Sequence, residues 1–518
     1  MMNSAVCLVA LILLGCSLAE QEGQLNILIV PIPFAGHLYP VSALGEQLVR
    51  NGHNVTICTP VVNNTNLQSK TAQRAGMNLW NAGNDVFDTE KIAELSRKTS
   101  NQSFLESVFN RDKSENDETK KLLQRLNLLL NNSNIQKFDM IIVDIWLSPL
   151  VACISKNFKV PFIVVSPGLL WHPSLLPTWP FPLLGTSLSM DLTLFQRILI
   201  YVYRPILSFF LSRILDTSIP ELQCGADMNY LLEPFGHHVP LFITSVIGFE
   251  YPRDISSLTS YVGPLLTKNP EPIQFDLTNW LSQKPDNSVV YVSMGSVIYL
   301  TREMGEAILN GVLDTGMSLV WSLREQNRDI LDGIVLNEKR VFLVKWAPQL
   351  SVFAHKATGA AVLHGGLGGL QEALANSVPV VVVPIANDHG DDAARVEFFN
   401  LGVSIQSNKL TAEKITESLK TVTTDASYGE SIARLRGRYT FAGGVERAAE
   451  LVEHYSIVGY DHLIPAYAKY KWSWIAYYNV DVKITLLFLV CVCMYALCRC
   501  CKCCCNYCFC ERKKAKKD

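Results

Sequence analysis

WAPQLSVFAHKATGAAVLHGGLGGLQEALANSVPVVVVPIANDH, running from Trp346 to His389, is the stretch that decides the fold. Its two short apolar runs, AAVL and VPVVVVPI, lack alternation, as parallel strands covered on both faces do. The first run leads into His364-Gly365-Gly366 and Gly368-Gly369, then into a helix-like LQEALAN that carries Glu372. Glycines between a strand and a helix let backbone N–H groups approach a phosphate closely, at the positive end of the helix dipole. The second run ends at Asp388-His389, two polar residues at a strand's C-terminal end, where open α/β sheets bind ligands. This is the layout of a nucleotide-diphosphate site.

Around that block, SVVYVSM, MSLVWSL and RVFLVKW read as further strands, and LTAEKITESLKTV and GVERAAELVEHY as helices by period. Far upstream, LNILIVPIP, NVTICTP, FDMIIVDIW and VPFIVVSP form another strand set with helix-like segments between them. Strands alternating with helices imply parallel, doubly wound sheets, so the chain reads as α/β with two Rossmann-like halves. His37 lies just past the first strand in the loop PFAGHL, and Asp144 ends FDMIIVD, which brings both to one ligand-binding edge. An imidazole near its ordinary pKa takes a proton from a hydroxyl at neutral pH if a partner fixes its tautomer. Tyr251–Pro285, rich in Pro, Ser and Asn, reads as the interdomain linker. The apolar LTLFQRILIYVYRPILSFFLSRIL (192–215) fits a binding-pocket wall, a surface dipping into a membrane, or a buried helix pair; periodicity does not separate these.

The 518 residues suffice for two domains with separate cores, and a net charge of −2 gives no basic face for nucleic acid. Residues 1–19 read as a signal peptide, with the apolar run CLVALILLGC ahead of small Ser17 and Ala19. The alternative, an uncleaved anchor, needs a longer run. Near the other end Ile484–Cys498, extended by Val480 and Val482, reads as a transmembrane helix. Trp472, Trp474, Tyr477 and Tyr478 precede it as an interfacial belt, and Arg499, Lys502 and the basic run 512–517 follow it, which sets the C-terminus in the cytosol. Lys514 and Lys516 match a K-x-K-x-x endoplasmic-reticulum retrieval signal, so the bulk of the chain is expected in the lumen. Of 15 cysteines, ten lie at or after Cys491, and only Cys58, Cys153 and Cys224 fall in the expected lumenal part, which is no disulfide scaffold. The tail CRCCKCCCNYCFC fits juxtamembrane palmitoylation better than a metal site. Sequons at Asn54, Asn63, Asn101 and Asn131 suit a lumenal domain, Asn54 least because it opens a strand.

The Trp346–His389 run resembles the signature box of the UDP-glycosyltransferases. Trp346, Pro348 and Gln349 match its W-x-P-Q opening, His364-Gly365-Gly366 its H-G-G, Glu372 the glutamate that follows, and Asp388-His389 its closing pair. The similarity extends to VYVSMGSV around Gly295 and Ser296 and to PFAGHLYP around His37. It implies a GT-B fold: an acceptor-binding half over 20–265, a UDP-sugar-binding half over 266–455, a connecting segment 456–479, a transmembrane helix 480–498 and a cytosolic tail 499–518. It implies that Trp346 stacks on uracil, Gln349 fixes the nucleoside and Glu372 accepts from the ribose hydroxyls. His364, Ser296 and the amides near Gly366 and Gly369 would contact the diphosphate, and Asp388 and His389 the sugar. His37 and Asp144 match the family's base and its orienting carboxylate, implying inverting transfer to a hydroxyl.

Departures from the family pattern bear on the sugar. Histidine at 389 replaces the usual glutamine and is seen in relatives that use UDP-galactose, and Thr244 stands where glucuronosyl members carry an arginine. A glucuronate carboxylate would lose that cation, so a neutral hexose is expected, UDP-glucose first and UDP-galactose second, with UDP-sugar as co-substrate and no cofactor or metal. Gly368 stands where many relatives have asparagine. The expected acceptor is lipophilic, the enzyme membrane-anchored, and homo-oligomerisation is left open. Two other readings remain: a UDP-sugar epimerase, and a non-catalytic binder of UDP-sugars or lipophiles.

Overall fold

The computed structural model of the chain describes residues 23–60, 67–83, 137–147, 159–168, 190–200, 239–295, 298–385, 388–465 and 479–514, with a few single residues between. Two parallel sheets form its frame. The first holds β1 (Asn26–Val30), β2 (Asn54–Thr59), β3 (Asn78–Asn81), β4 (Met140–Asp144), β5 (Phe162–Ser166), β6 (Leu241–Ile243) and β7 (Thr259–Tyr261), in the order β3-β2-β1-β4-β5-β6-β7. The second holds β8 (Val289–Ser293), β9 (Ser318–Ser322), β10 (Val341–Val344), β11 (Thr358–Leu363), β12 (Val380–Val382) and β13 (Gly402–Ser404), in the order β10-β9-β8-β11-β12-β13. In both orders the chain reverses direction at a central pair, β1/β4 and β8/β11, which opens a crevice at the C-terminal ends of those strands.

The reason is visible in the residues. β4 and β5 are buried at every position and so is β12, as continuous apolar strands sandwiched between helices must be. Four strands escape a pattern search: NLWN of β3, LFI of β6, TSY of β7 and GVS of β13. All are three or four residues long, and three of them close a sheet edge, where neither length nor a continuous apolar run is required. The expected linker over Tyr251–Pro285 is corrected in consequence: it contains β7 and the helix Phe275–Ser282.

Helix α1 (Ala35–Arg50) follows β1 directly. In the second half α2 (Gln349–Ala354), α3 (Leu367–Ala375) and α4 (His389–Phe398) each start beyond the C-terminal end of a strand. The long pair α5 (Ala426–Ala442) and α6 (Gly444–Val458) turns at Gly443, whose φ of +88° is a left-handed cap suited to glycine. That turn sends α6 back to the first half. Glu453 of α6 accepts hydrogen bonds from Asn51 Nδ2 at 2.6 Å and His53 Nε2 at 3.0 Å, and the Tyr455 ring lies 6.3 Å from Phe242 of β6.

The helix Val480–Lys514 contains Val480–Arg499, 20 residues of mean hydropathy 2.1, long and apolar enough to cross a membrane. Asn54 opens β2 with its side-chain amide already bridging Asn26 and Asn78, and Cys58 is a buried free thiol. The expected signal peptide, the sequons at Asn63, Asn101 and Asn131, Cys153, Cys224, the aromatic belt and Lys516 lie outside the described residues. So do Ser296 and most of the apolar stretch 192–215 beyond Ile200.

Candidate active site

The two sheets bring their ligand edges together. On the first, β1 and β4 are hydrogen-bonded neighbours in register, Val30 against Val143, so whatever follows Val30 emerges beside Asp144. His37 is corrected here from loop to helix: it occupies the first turn of α1, its N–H bonded to Phe34 O at 3.0 Å. Its Nδ1 lies 2.7 Å from Asp144 Oδ2, with the imidazole 22% exposed and the carboxylate 2%. The ring is therefore reachable and its orienting group is not. Burial pulls the His37 pKa down, but the charge and hydrogen bond of Asp144, with a contribution from Asp388, leave it raised above its ordinary value.

On the second sheet β11 ends at Leu363 and the chain turns through His364-Gly365-Gly366 into α3. Gly365 has φ +100° and Gly295, just past β8, has φ +81°, both in the region that excludes most side chains. A Cβ added to Gly295 or to Gly366 would lie 2.6 Å from His364 Nε2, so the imidazole is seated between two bare loops. Gly366 caps α3, and no acidic residue follows in its first turn, which leaves the amides at Leu367, Gly368 and Gly369 as a positive end for an anion. Next to them, Gln349 Nε2 donates to Glu372 Oε2 at 2.5 Å, and Gly369 lies under the Gln349 amide. Burial raises the Glu372 carboxyl to about 7 despite that hydrogen bond.

Asp388 caps α4 and His389 is its first residue. The His364 and His389 rings meet edge to face with centroids 4.7 Å apart. Burial holds His364 down at about 3, with His389 adding to it, and holds His389 at about 4. Both are neutral at pH 7. The loop therefore presents two neutral imidazoles beside the free backbone amides that open α3. Thr244, buried, donates its hydroxyl to Pro167 O at 3.0 Å, and its carbonyl accepts from Gln371 Nε2 of α3 at 2.6 Å.

Of the sequence-derived residues, Gln349, Gly369 and Glu372 form one cluster, and His364, Gly366, Asp388 and His389 another beside it. His37 and Asp144 face them from the first half, within range of the Asp388 charge. Trp346 stands at the end of β10, 38% exposed, its ring 6.3 Å from Tyr39 of α1. Tyr39 and Gln371 were not singled out by sequence. Tyr39 follows His37 by two residues on the same helical opening, which was the available signal; Gln371 offered none, since a glutamine beside Glu372 reads as solvated. The described residues hold no cluster of His, Cys, Asp and Glu suited to a metal ion.

The family model of UDP-glucuronosyl and UDP-glucosyl transferases matches residues 25–516. The chain is 24% identical to rat UDP-glucuronosyltransferase 1A8 over 493 residues, covering 89% of this chain and 88% of the relative. It is 25% identical to mouse UDP-glucuronosyltransferase 3A2 over 428 residues, 78% of each. Among solved structures, that of Os79 from O. sativa in complex with U2F and trichothecene superposes with a TM-score of 0.60 at 18% identity, covering 83% of this chain and all of that one. The calicheamicin glycosyltransferase CalG4 gives a TM-score of 0.57 at 20% identity, covering 85% of this chain and all of that one. These likenesses establish the GT-B fold.

Proposed function

We propose, for a chain that belongs to the UDP-glucuronosyl and UDP-glucosyl transferase family, that it moves a neutral hexose from a UDP-sugar to a hydroxyl of a small lipophilic acceptor, inverting the anomeric carbon. Family membership makes it a UDP-glycosyltransferase. The choice of sugar, the acceptor class and the stereochemistry are our reading; transfer to a hydroxyl with inversion is carried by the 2.7 Å contact between His37 and Asp144 opposite the Asp388 edge.

Asp144 holds the proton on Nδ1, which leaves the lone pair on Nε2. An acceptor hydroxyl bonded to Nε2 gives up its proton as its oxygen attacks C1 of the sugar. The bond from C1 to the β-phosphate oxygen breaks, and the electron pair leaves with UDP. Attack from the side opposite the leaving group inverts C1. The imidazolium that forms is stabilised by Asp144, and the charge growing on UDP by the amides opening α3, an interaction worth a few kcal/mol per donor. Trp346, Gln349 and Glu372 hold the nucleoside, and Asp388 and neutral His389 the sugar hydroxyls. The reaction so written uses no metal or cofactor. With no cation at Thr244 a glucuronate is disfavoured, so UDP-glucose ranks first and UDP-galactose second. The apolar helix Val480–Arg499 and the basic residues that follow it support a membrane-anchored endoplasmic-reticulum enzyme with its catalytic halves in the lumen.

The test is UDP release by membranes carrying the full chain, given a lipophilic phenol and each UDP-sugar in turn. Release that requires the phenol, with UDP-glucose best, supports the reading. A sugar changed without acceptor would instead indicate an epimerase, and UDP binding without turnover a non-catalytic binder.

A further inference from the structure

Helix α4, which opens with Asp388 and His389, is gripped from outside its own domain. Phe249–Arg253 follows β6 of the first sheet, and two of its side chains, Glu250 and Tyr251, meet α4. Glu250 Oε2 lies 3.7 Å from Arg395 Nη2 and 3.6 Å from Arg253 Nη2, and Arg395 Nη1 donates to Asp392 Oδ1 at 2.5 Å. The Arg395 guanidinium lies 5.7 Å from the Tyr251 ring centre, and that ring meets Phe398, at the far end of α4, edge-on at 5.2 Å. Glu250 and Asp392 have no exposed surface and Arg395 only 6%. At the other side of the helix start, a Cβ on Gly365 would come within 3.0 Å of both Cβ and O of His389. The first turn of α4 is thus fixed by the HGG loop, and its body by a segment that continues the acceptor half.

A buried set of charges is a poor way to gain stability, because apolar residues of similar volume do as well or better. What it supplies is registry. Neither oxygen of Glu250 has a hydrogen-bond partner among the described residues, so the Arg253 and Arg395 guanidinium charges are what hold the carboxylate in place, and through Arg395 they tie it to α4. Asp388, Asp392 and Arg395 are spaced by four and three residues, one face of the helix, so a shift of Arg395 is carried to the sugar-facing end.

We propose that Glu250 and Arg395 are positioning residues that set Asp388 and His389 against the sugar from the acceptor half, and so determine donor-sugar selectivity in this enzyme. The inference rests on the reading of Asp388 and His389 as the sugar contacts. Misplacement of such contacts by about 1 Å lowers turnover by as much as ~10²-fold, so the two residues act on catalysis without touching substrate.

The experiment uses the full membrane-anchored chain carrying Glu250→Gln, Arg395→Lys or His389→Ala, with UDP affinity, thermal unfolding, and kcat and KM for UDP-glucose and UDP-galactose measured on each. The expected result is that Glu250→Gln and Arg395→Lys stay folded, bind UDP within about twofold of the parent, lose about tenfold or more in kcat/KM for the preferred sugar, and drift toward the selectivity of His389→Ala. Folded variants with parental selectivity, or with UDP and UDP-sugar affinity lowered in equal proportion, would overturn the proposal and leave the network a packing device. Were His389→Ala itself to leave selectivity unmoved, the sugar-contact reading would fall and the proposal with it. Should either charged variant not fold, Tyr251→Phe and Tyr251→Leu probe the same grip, and unchanged selectivity in both likewise overturns it.

Discussion

The indole of Trp346 and the phenol ring of Tyr39 face one another across the two halves, their centroids 6.3 Å apart and their planes inclined by 49°. The indole keeps 38% of its surface exposed, enough to receive a planar ring. Trp346→Ala is expected to weaken UDP binding by roughly tenfold, since stacking of a base on an aromatic is worth ~1–3 kcal/mol. Calorimetric titration with UDP checks it.

A ribose-binding role for Glu372 predicts that UDP binding depends on pH. Burial raises its carboxyl to about 7, so in the free enzyme it is largely protonated below that value and cannot accept from both ribose hydroxyls. UDP affinity is expected to rise as pH increases from 6 to 8, and Glu372→Gln to flatten the dependence and weaken binding at pH 8. Titrations at several pH values in one buffer series test both.

The two buried histidines act on stability in the opposite pH range. His389 has its pKa lowered to about 4 in the folded chain, against 6.5 when free, so between those values the unfolded state binds more protons. Stability therefore rises with pH through that window and is lost on acidification, by on the order of 3 kcal/mol for this group. His389→Gln should shrink the fall in melting temperature between pH 7 and pH 5, and an unchanged fall would contradict the assignment.

Glycine positions around the start of α3 are not equivalent. A Cβ at Gly366 would strike His364 Nε2 at 2.6 Å, while one at Gly368 meets nothing within 4 Å. Gly366→Ala should cost activity by displacing the imidazole. Gly368→Asn should be accommodated and, by adding a donor at the start of α3, raise kcat/KM for the UDP-sugar about fivefold, the worth of one ~1 kcal/mol hydrogen bond. Steady-state kinetics on the two variants decides.

Much of this was legible in the sequence for physical reasons. VPVVVVPI and FDMIIVD are continuous apolar strands because both faces are covered, and glycine-rich turns announce themselves through the backbone they permit. What stayed hidden depends on neighbours distant in the chain. TSY of β7 is a strand only because β6 offers it an edge. Glu250 and Arg395 look like ordinary surface charges until the fold buries them together. Tyr39 gains meaning only when the other half sets Trp346 before it.

The central claim is that His37, oriented by Asp144, removes the acceptor proton. Its most direct test is acceptor-dependent UDP release by His37→Ala, measured beside UDP affinity on the same preparation. Turnover is expected to fall by ~10²–10⁴-fold with UDP affinity preserved. Turnover at the parental rate in a variant that still binds UDP would contradict it.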